Sequence, residues 1–391
     1  MLHNDYAEVG GEYFSVRAEV ESLRNRNVDV EFITVDNAKI LEERGRRGFL
    51  METIRPRIAP GLLDTALRRF KPHLVHAQNL FPLMGGAAID TMQEHRVPWV
   101  RTLRNYRLRC VAGTCFRDGQ NCFDCKSSAQ GYPGILHGCY RNSVPASAVA
   151  VGHAIREQAA RISHPPAGNI LLSESMRALL ANVLGDTPTY VKPNSVAGDL
   201  ARNPIPRRNR RPEFLYVGRL SAEKGLSPLI TSFARNPDLR LVVIGEGTLD
   251  DKDQSLLETS PNINLIGAIP PEEVVRRMRE ALAVIVPSAW AEPFGRVAAE
   301  SLAAGTPALV SNVGGLTDIV AGLGDHALLV EPGEDWAARA RDLANLGSDI
   351  FDQLAASCLN KWASNYEDGA VGDRLLEIYT SVLGADWTQT S

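Results

Sequence analysis

Short β-branched runs alternate with longer amphipathic stretches through the second half of the chain. Residues 214–217, 239–244, 263–266, 282–286, 307–310 and 327–330 read as buried strands, with helical periodicity between them. Such a βαβ ladder predicts a parallel sheet covered by helices on both faces, with ligands bound outside the carboxyl ends of the strands. The first half repeats the rhythm less cleanly, with a helix near 12–26 and strands at 28–35, 74–77, 99–103 and 170–173. Two similar α/β domains follow from this pattern.

Residues 191–196 (VKPNSV) and 203–212 (NPIPRRNRRP) cannot continue a helix, and the domain boundary is placed there. The domains read as 1–193 and 194–368, with 192–195 as the expected hinge. A last helix pattern, 373–383, sets Leu375, Leu376, Tyr379, Val382 and Leu383 on one face and must dock on a partner surface. A doubly wound domain opens with a strand that feeds a glycine turn, yet only Met1, Leu2 and His3 precede Asn4 and the Gly10-Gly11 pair. Either that strand is a stub, or the natural start lies upstream.

With 391 residues, of which 44% are hydrophobic and 23% charged, the chain has the make-up of two or three well-packed domains. No apolar run reaches the 18 residues a membrane span needs, and the polar, glutamate-rich start is unlike a signal peptide. A cytoplasmic location, peripheral to the inner face of the membrane, is expected. The net charge of −4 hides an asymmetry: residues 1–193 carry +5 and the remainder −9, with +7 concentrated in 96–161. A basic patch in an acidic protein points to an anionic ligand or an anionic membrane surface. Nucleic acid is not expected, because no aromatic stripe interleaves the bases and no binding motif is present.

The candidate chemistry sits in loops after predicted strands. After 282–286 comes PSAWAEPFGRVAAESLAAGTP, in which Pro293 and Gly295 form a turn and 296–304 reads as a helix. A helix start at a strand's carboxyl end offers free N–H groups and a positive dipole end to a phosphate. Glu300 lies ~7 Å further along that helix than Gly295, within reach of sugar hydroxyls on a ligand whose phosphates sit at the helix start. The strand 214–217 ends in VGRLSAEKG, where Gly218 permits a tight turn and Arg219 and Lys224 could clamp a diphosphate. Gly245-Glu246-Gly247 follows a third strand and suits a close backbone approach.

These motifs resemble the retaining glycosyltransferases of family 4. The resemblance rests on GRLSAEKG at 218–225, EPFGRVAAE at 292–300, GTP at 305–307, GG at 314–315 and HNDYAEVGGE at 3–12. It implies the GT-B fold, two Rossmann-like doubly wound domains facing across a cleft, with residues 1–193 on the acceptor side, 194–368 binding the nucleotide sugar and 369–391 returning to the N-terminal domain. By the same resemblance Glu300 holds the donor ribose, Glu292 contacts the transferred sugar, and Arg219 and Lys224 bind the diphosphate. The segment Phe294, Gly295 and Arg296 lies against the donor, Glu246 belongs to its binding loops, and the Gly10-Gly11 loop faces the phosphates. The family retains anomeric configuration without a settled protein nucleophile, the leaving phosphate helping to take the acceptor proton. No cofactor is needed for that chemistry. Where many relatives have a histidine after the fourth strand, this chain has Arg104, which cannot accept a proton. It could instead neutralise an anionic acceptor, and His76 is a second acceptor-side candidate.

Cys110, Cys115, Cys122, Cys125 and Cys139 fall within thirty residues, in an insertion spanning about 105–142. In a reducing compartment a tight thiol cluster with a CxxC favours a structural zinc over disulfides, with free thiols as the alternative. Cys110, Cys122, Cys125 and Cys139 are the expected ligands, a four-cysteine pattern that a subset of bacterial family-4 enzymes resembles. The expected function is transfer of a sugar from a nucleotide diphosphate sugar to a glycan or lipid-linked acceptor, in polysaccharide or glycolipid assembly. Another GT-B enzyme, such as a nucleotide-sugar epimerase, and a catalytically silent scaffold are the alternatives.

Overall fold

The computed structural model describes residues 1–6, 10–126, 131–198, 203–324, 328–385 and 387. The chain forms two compact units. The first comprises residues 1–117, 122–193 and 372 onward, and the second 118–121 and 194–371.

In the first unit, β1 (Leu2–Asp5), β2 (Ile33–Asp36), β3 (Val75–Asn79), β4 (Trp99–Leu103), β5 (Gly168–Leu171) and β6 (Thr189–Val191) form one sheet in the order β2-β1-β3-β4-β5-β6. Its pairings are parallel. Short as it is, β1 pairs with β2 along its whole length and with β3 on its other side. The expected strand over 28–35 shrinks to its last residues plus Asp36. Before them the chain serves as a connection, with Val28 N–H donating to Leu23 O and Arg24 reaching Val30 O, while Val28 and Val30 pack against the apolar cluster to which the terminal helix contributes. The edge strand β6 was not expected: it has three residues, and the last, Val191, opens the VKPNSV stretch read as linker.

The second unit builds β7 (Glu213–Val217), β8 (Arg240–Ile244), β9 (Ile263–Gly267), β10 (Ala283–Val286), β11 (Ala308–Ser311) and β12 (Leu329–Val330) into the order β9-β8-β7-β10-β11-β12. Central strand residues such as Leu215, Val243, Val284 and Leu309 are fully buried, as a parallel sheet covered on both faces requires. Residue 327, at the start of the last expected strand, lies outside the described residues.

Four helices matter most for function. They are α1 (Gly11–Arg24), α2 (Val144–Ser163), α3 (Arg296–Ala303) and α4 (Asp368–Leu383). Ser143 caps α2 by accepting the Ala146 N–H, and Pro145 sits in its first turn, where no N–H is needed. The apolar stripe of α4 is spent on the first unit: Leu375, Ile378 and Tyr379 pack with Leu23, Val100 and Ile170.

Beneath that packing lies a buried polar network. Glu19 on α1 accepts from Lys192 Nζ at 2.5 Å, from Arg104 Nη2 at 3.3 Å and from Gln78 Nε2 at 2.6 Å. Beside it, His76 Nδ1 bonds the Tyr379 hydroxyl at 2.6 Å and Nε2 bonds Thr102 Oγ1 at 2.7 Å. Lys192 was expected in the hinge, but its side chain is only 1% exposed and its N–H donates to Leu171 O, so it is fixed within the first unit.

Burial opposes the charge on Glu19, but the Lys192, His76 and Arg104 charges win and hold its carboxyl down to about 2. Burial, aided by the nearby cations, holds the His76 ring down to about 3. Both pKa values are depressed on folding, so the unfolded chain binds more protons. Each contribution is whole above the unfolded pKa and is lost as pH falls toward the folded one. Burial lowers the His153 ring as well, so urea midpoints should decline as pH falls below about 6.5, the unfolded histidine value, and a His76→Gln variant should flatten the slope between about pH 5 and 6.5 without abolishing it. Lys192→Met leaves Glu19 short of its closest cation and should cost about 3 kcal/mol at pH 7, measured by chemical denaturation.

Candidate functional site

The loops at the carboxyl ends of β7, β8 and β10, and the helix that follows β10, carry the expected donor-side residues other than Gly10 and Gly11, which belong to the first unit. Gly218 leaves β7, and its loop lies directly against the one after β8. A Cβ on Gly245 would stand 1.8 Å from Gly218 O, and one on Gly247 2.2 Å from Leu220 O. Leu220 N–H donates to Glu246 O at 2.8 Å, locking the two loops together. The glycines of this GxG are thus required by loop-on-loop packing, and the Glu246 side chain is exposed.

A second close approach brings the β7 loop onto the β10 loop. Gly225 has φ +68, and a Cβ there would lie 1.8 Å from Pro287 O. Ala289 N–H donates to Glu223 O at 2.9 Å. This seating delivers Lys224 Nζ to Glu292 Oε1 at 2.7 Å. Glu292 is buried, accepts from Ser288 Oγ as well, and is fixed at its backbone by the Gly315 N–H at 2.7 Å. A protonated lysine has three donors, so the bond to Glu292 leaves capacity for a ligand oxygen.

Gly295, at φ +100, turns the chain from the Glu292 loop into α3, whose first turn has no side-chain cap. Phe294 is buried edge-on against Tyr366, with ring centroids 5.7 Å apart. Along α3, Glu300 Oε1 accepts from Arg296 Nε at 2.7 Å, one turn apart on a partly exposed face. Arg219 is 76% exposed and pairs with Glu223 at 3.2 Å, while its carbonyl accepts from the Tyr216 hydroxyl at 2.6 Å. The structure therefore unites Lys224 with Glu292 and Arg296 with Glu300, and leaves the Arg219 guanidinium reaching into solvent.

Two residues of this site carried no signal that the sequence reading used. Ser288 fixes the Glu292 carboxylate. Trp290 presents its ring 5.8 Å from Lys224 Nζ, and its buried Nε1 has no hydrogen-bond partner. Both lie in the PSAW segment between β10 and Glu292, so their proximity to that carboxylate was the available clue.

In the first unit, Gly10 and Gly11 are exposed at the start of α1, which likewise lacks a side-chain cap. Residues 7–9 of that motif lie outside the described residues. The acceptor-side candidates are not open to solvent: Arg104 is held by Gln78 at 2.8 Å and by Glu19, and both ring nitrogens of His76 are engaged inside the unit. Cys110, Cys122, Cys125 and Cys139 line one small void of about 20 Å³. The backbone of Ala112, Gly113 and Cys115 lies close to Cys110 Sγ and that of Val111 and Gly134 close to Cys125 Sγ, and Gly113 N–H donates to Cys110 O at 2.9 Å. Cys115 is buried and donates its S–H to Cys110. Among the described residues, no three potential ligands are grouped closely enough to hold an ion as they stand.

Comparison with known proteins agrees with this architecture. Residues 199–356 match the family described as "Glycosyl transferases group 1". The chain is 29% identical over 267 residues to a glycogen synthase of Mycobacterium tuberculosis, covering 65% of this chain and 55% of that protein. It is 24% identical over 230 residues to the phosphatidyl-myo-inositol mannosyltransferase of the same organism, covering 56% of this chain and 60% of that one. The chain thus spans little more than half the length of these relatives. Among solved structures, sucrose-phosphate synthase from Thermosynechococcus elongatus superposes with a TM-score of 0.65 at 18% identity, covering 97% of this chain and 95% of that one. Anabaena HepE, in complex with UDP and glucose, gives 0.63 at 16%, covering 97% and 99%. The fold is GT-B.

The seating of the Lys224 loop can be tested without a ligand. Gly225→Ala combines a positive φ with a Cβ driven into Pro287 O, and should destabilise the protein by about 2 to 4 kcal/mol in denaturant titration. An unchanged midpoint would contradict the loop packing described.

Proposed function

We propose that the chain is a glycosyltransferase that moves a sugar from a nucleoside diphosphate sugar to a glycan or lipid-linked acceptor, with retention of configuration, in polysaccharide or glycolipid assembly. The observation that carries this reading is the Lys224–Glu292 pair, 2.7 Å apart beside the uncapped start of α3. A cation, a carboxylate and a set of free N–H groups then meet at the carboxyl edge of a parallel sheet. The group 1 glycosyl transferase match over 199–356 covers this site.

In the proposed reaction the bond between sugar C1 and the diphosphate oxygen breaks and a bond from the acceptor oxygen to C1 forms. The acceptor proton passes to the departing phosphate oxygen. Lys224, Arg219 and the α3 N-terminus stabilise the charge that develops on the leaving diphosphate, which is the largest requirement of such a step. Arg219, exposed and on a flexible stem, can swing from Glu223 to the ligand. Glu292, fixed by Ser288 and Lys224, orients the sugar hydroxyls, and Glu300 exchanges its Arg296 contact for the ribose. No protein nucleophile and no catalytic metal enters the scheme.

The reading extends to the cysteine insertion and to location. Four thiols around a void of about one water volume are the donor set of a structural zinc. Cys110, Cys122, Cys125 and Cys139 would hold it once their sulfurs draw together, and the backbone lying close to Cys110 and Cys125 would support the thiolates. Zinc there would stiffen the insertion. The basic first unit suits a cytoplasmic enzyme in peripheral contact with an anionic membrane face, and among the described residues no helix is long and apolar enough to cross one.

Calorimetric titration with UDP, GDP and ADP should show saturable binding of one of them. Glu300→Ala should weaken it by about 1 to 3 kcal/mol, and Lys224→Met should cut affinity at least as far. Absence of binding by all three would reject the donor site. Separately, metal analysis should find one zinc per chain, lost in a Cys122→Ser/Cys125→Ser variant. A metal-free protein of undiminished stability would remove the zinc proposal.

A further inference from the structure

The first unit holds a cavity whose lining carries more cationic than anionic side chains. With a volume of about 470 Å³, it opens beside the carboxyl ends of β3 and β4, walled by α2 and by the start of the cysteine insertion. Its lining carries Arg101, Arg104, Arg107, Arg109 and Arg161 against the carboxylate of Glu157. Three of these arginines have other duties. Arg104 is bonded to Gln78 and Glu19. Arg107 lies over the Phe81 ring at 4.2 Å and donates to Val111 O. Arg109 donates to Leu179 O.

Arg101 and Arg161 are left sharing Glu157. Arg101 Nη1 stands 3.5 Å and Arg161 Nε 3.7 Å from Glu157 Oε1, both too long for good hydrogen bonds. Arg101 is only 4% exposed, its Nε is used on Asn169 Oδ1 at 2.6 Å, and its Nη1 has no hydrogen-bond acceptor. Arg161 Nε is likewise buried without one. Two guanidiniums around one carboxylate leave a positive charge that Glu157 alone does not balance, in the wall of this cavity. Burying such a group without a partner is expensive, and a charge-assisted fork onto an oxyanion is what removes the expense. Burial lowers the proton affinity of both arginines, yet Arg101 still titrates only at about 9, so the cation persists at neutral pH. The helix supplies the geometry: Glu157 and Arg161 are one turn apart on α2, facing Arg101 on β4.

We propose that this cavity is an acceptor subsite for a single oxyanion, the phosphate or carboxylate of an acidic acceptor, gripped between Arg101 and Arg161. The volume exceeds that of a bare phosphate and matches a small phosphorylated or acidic sugar. This deepens the glycosyl-transfer reading and rests on it for the word acceptor; the anion site itself rests on the cavity alone. It also gives the insertion a role, because residues 107–111 form one wall.

The test is calorimetry on the full chain, with whichever of UDP, GDP and ADP binds present to fill the donor loops, using inorganic phosphate, glucose 6-phosphate, glucuronate and dodecyl phosphate as probes. At least one should bind saturably, and Arg101→Met should weaken that binding by about tenfold or more, the loss of one charge-assisted hydrogen bond. Because Arg101→Met removes a buried group and could unfold the unit, Arg161→Gln serves as the second variant, with the same expected loss and unchanged nucleotide affinity. A preference for glucose 6-phosphate or glucuronate identifies a soluble acidic acceptor, and a preference for dodecyl phosphate a lipid-borne one. Failure of all four probes, or binding unaltered in both variants, overturns the inference while nucleotide binding leaves the transfer reading intact. Phosphate binding without any nucleotide binding would do the reverse.

Discussion

A parallel strand can pair on both sides only if the chain leaves the sheet at one end and returns to the other by a crossover. That constraint gathers the strand-to-helix loops at the carboxyl edge of each sheet. In the second unit those loops then press upon one another so tightly that Gly225 and Gly245 have no room for a Cβ. The Lys224–Glu292 pair is a by-product of this compression: two loops 68 residues apart are wedged together, and their charged side chains meet. The chemistry proposed for the site depends on backbone packing beneath it more than on any single side chain.

The two units handle buried charge differently. In the second, the buried Glu292 is balanced locally by a lysine and a serine. In the first, Glu19 is shared by Lys192 and Arg104, and Glu157 is shared by Arg101 and Arg161 on the other side of β4. A basic excess visible in the composition of residues 96–161 is therefore partly interior. Part of it anchors the fold and part faces a cavity, a division that net charge cannot express.

Periodicity made most of the second unit legible, because fully buried parallel strands read as unbroken apolar runs and their loops carry glycine. The first unit was harder to read. Val28 and Val30 alternate as a strand's residues would but pack against the apolar cluster that the terminal helix joins, and β6 is a short edge whose neighbour Lys192 reads as linker. At the donor loops, the identities of Lys224, Glu292 and Glu300 were legible as a motif. That Arg296 covers Glu300, and that Ser288 and Trp290 join Glu292 and Lys224, depends on rotamers and loop seating that no spacing encodes. His76 and Arg104 looked like open acceptor-side groups because a strand end is where such groups act. Their partners, Tyr379 and Glu19, lie 303 and 85 residues away.

The His76–Tyr379 bond also bears on the order in which the molecule can be made. Residues from 372 onward supply part of the first unit's core, covering Leu23, Val100 and Ile170. All of residues 194–371 must leave the ribosome before that cover exists. The second unit, continuous but for four residues, can condense as soon as it emerges, while the first waits with an apolar face exposed. A nascent chain would thus finish its second domain before its first, and the interval is when the protein is most open to chaperones and to aggregation.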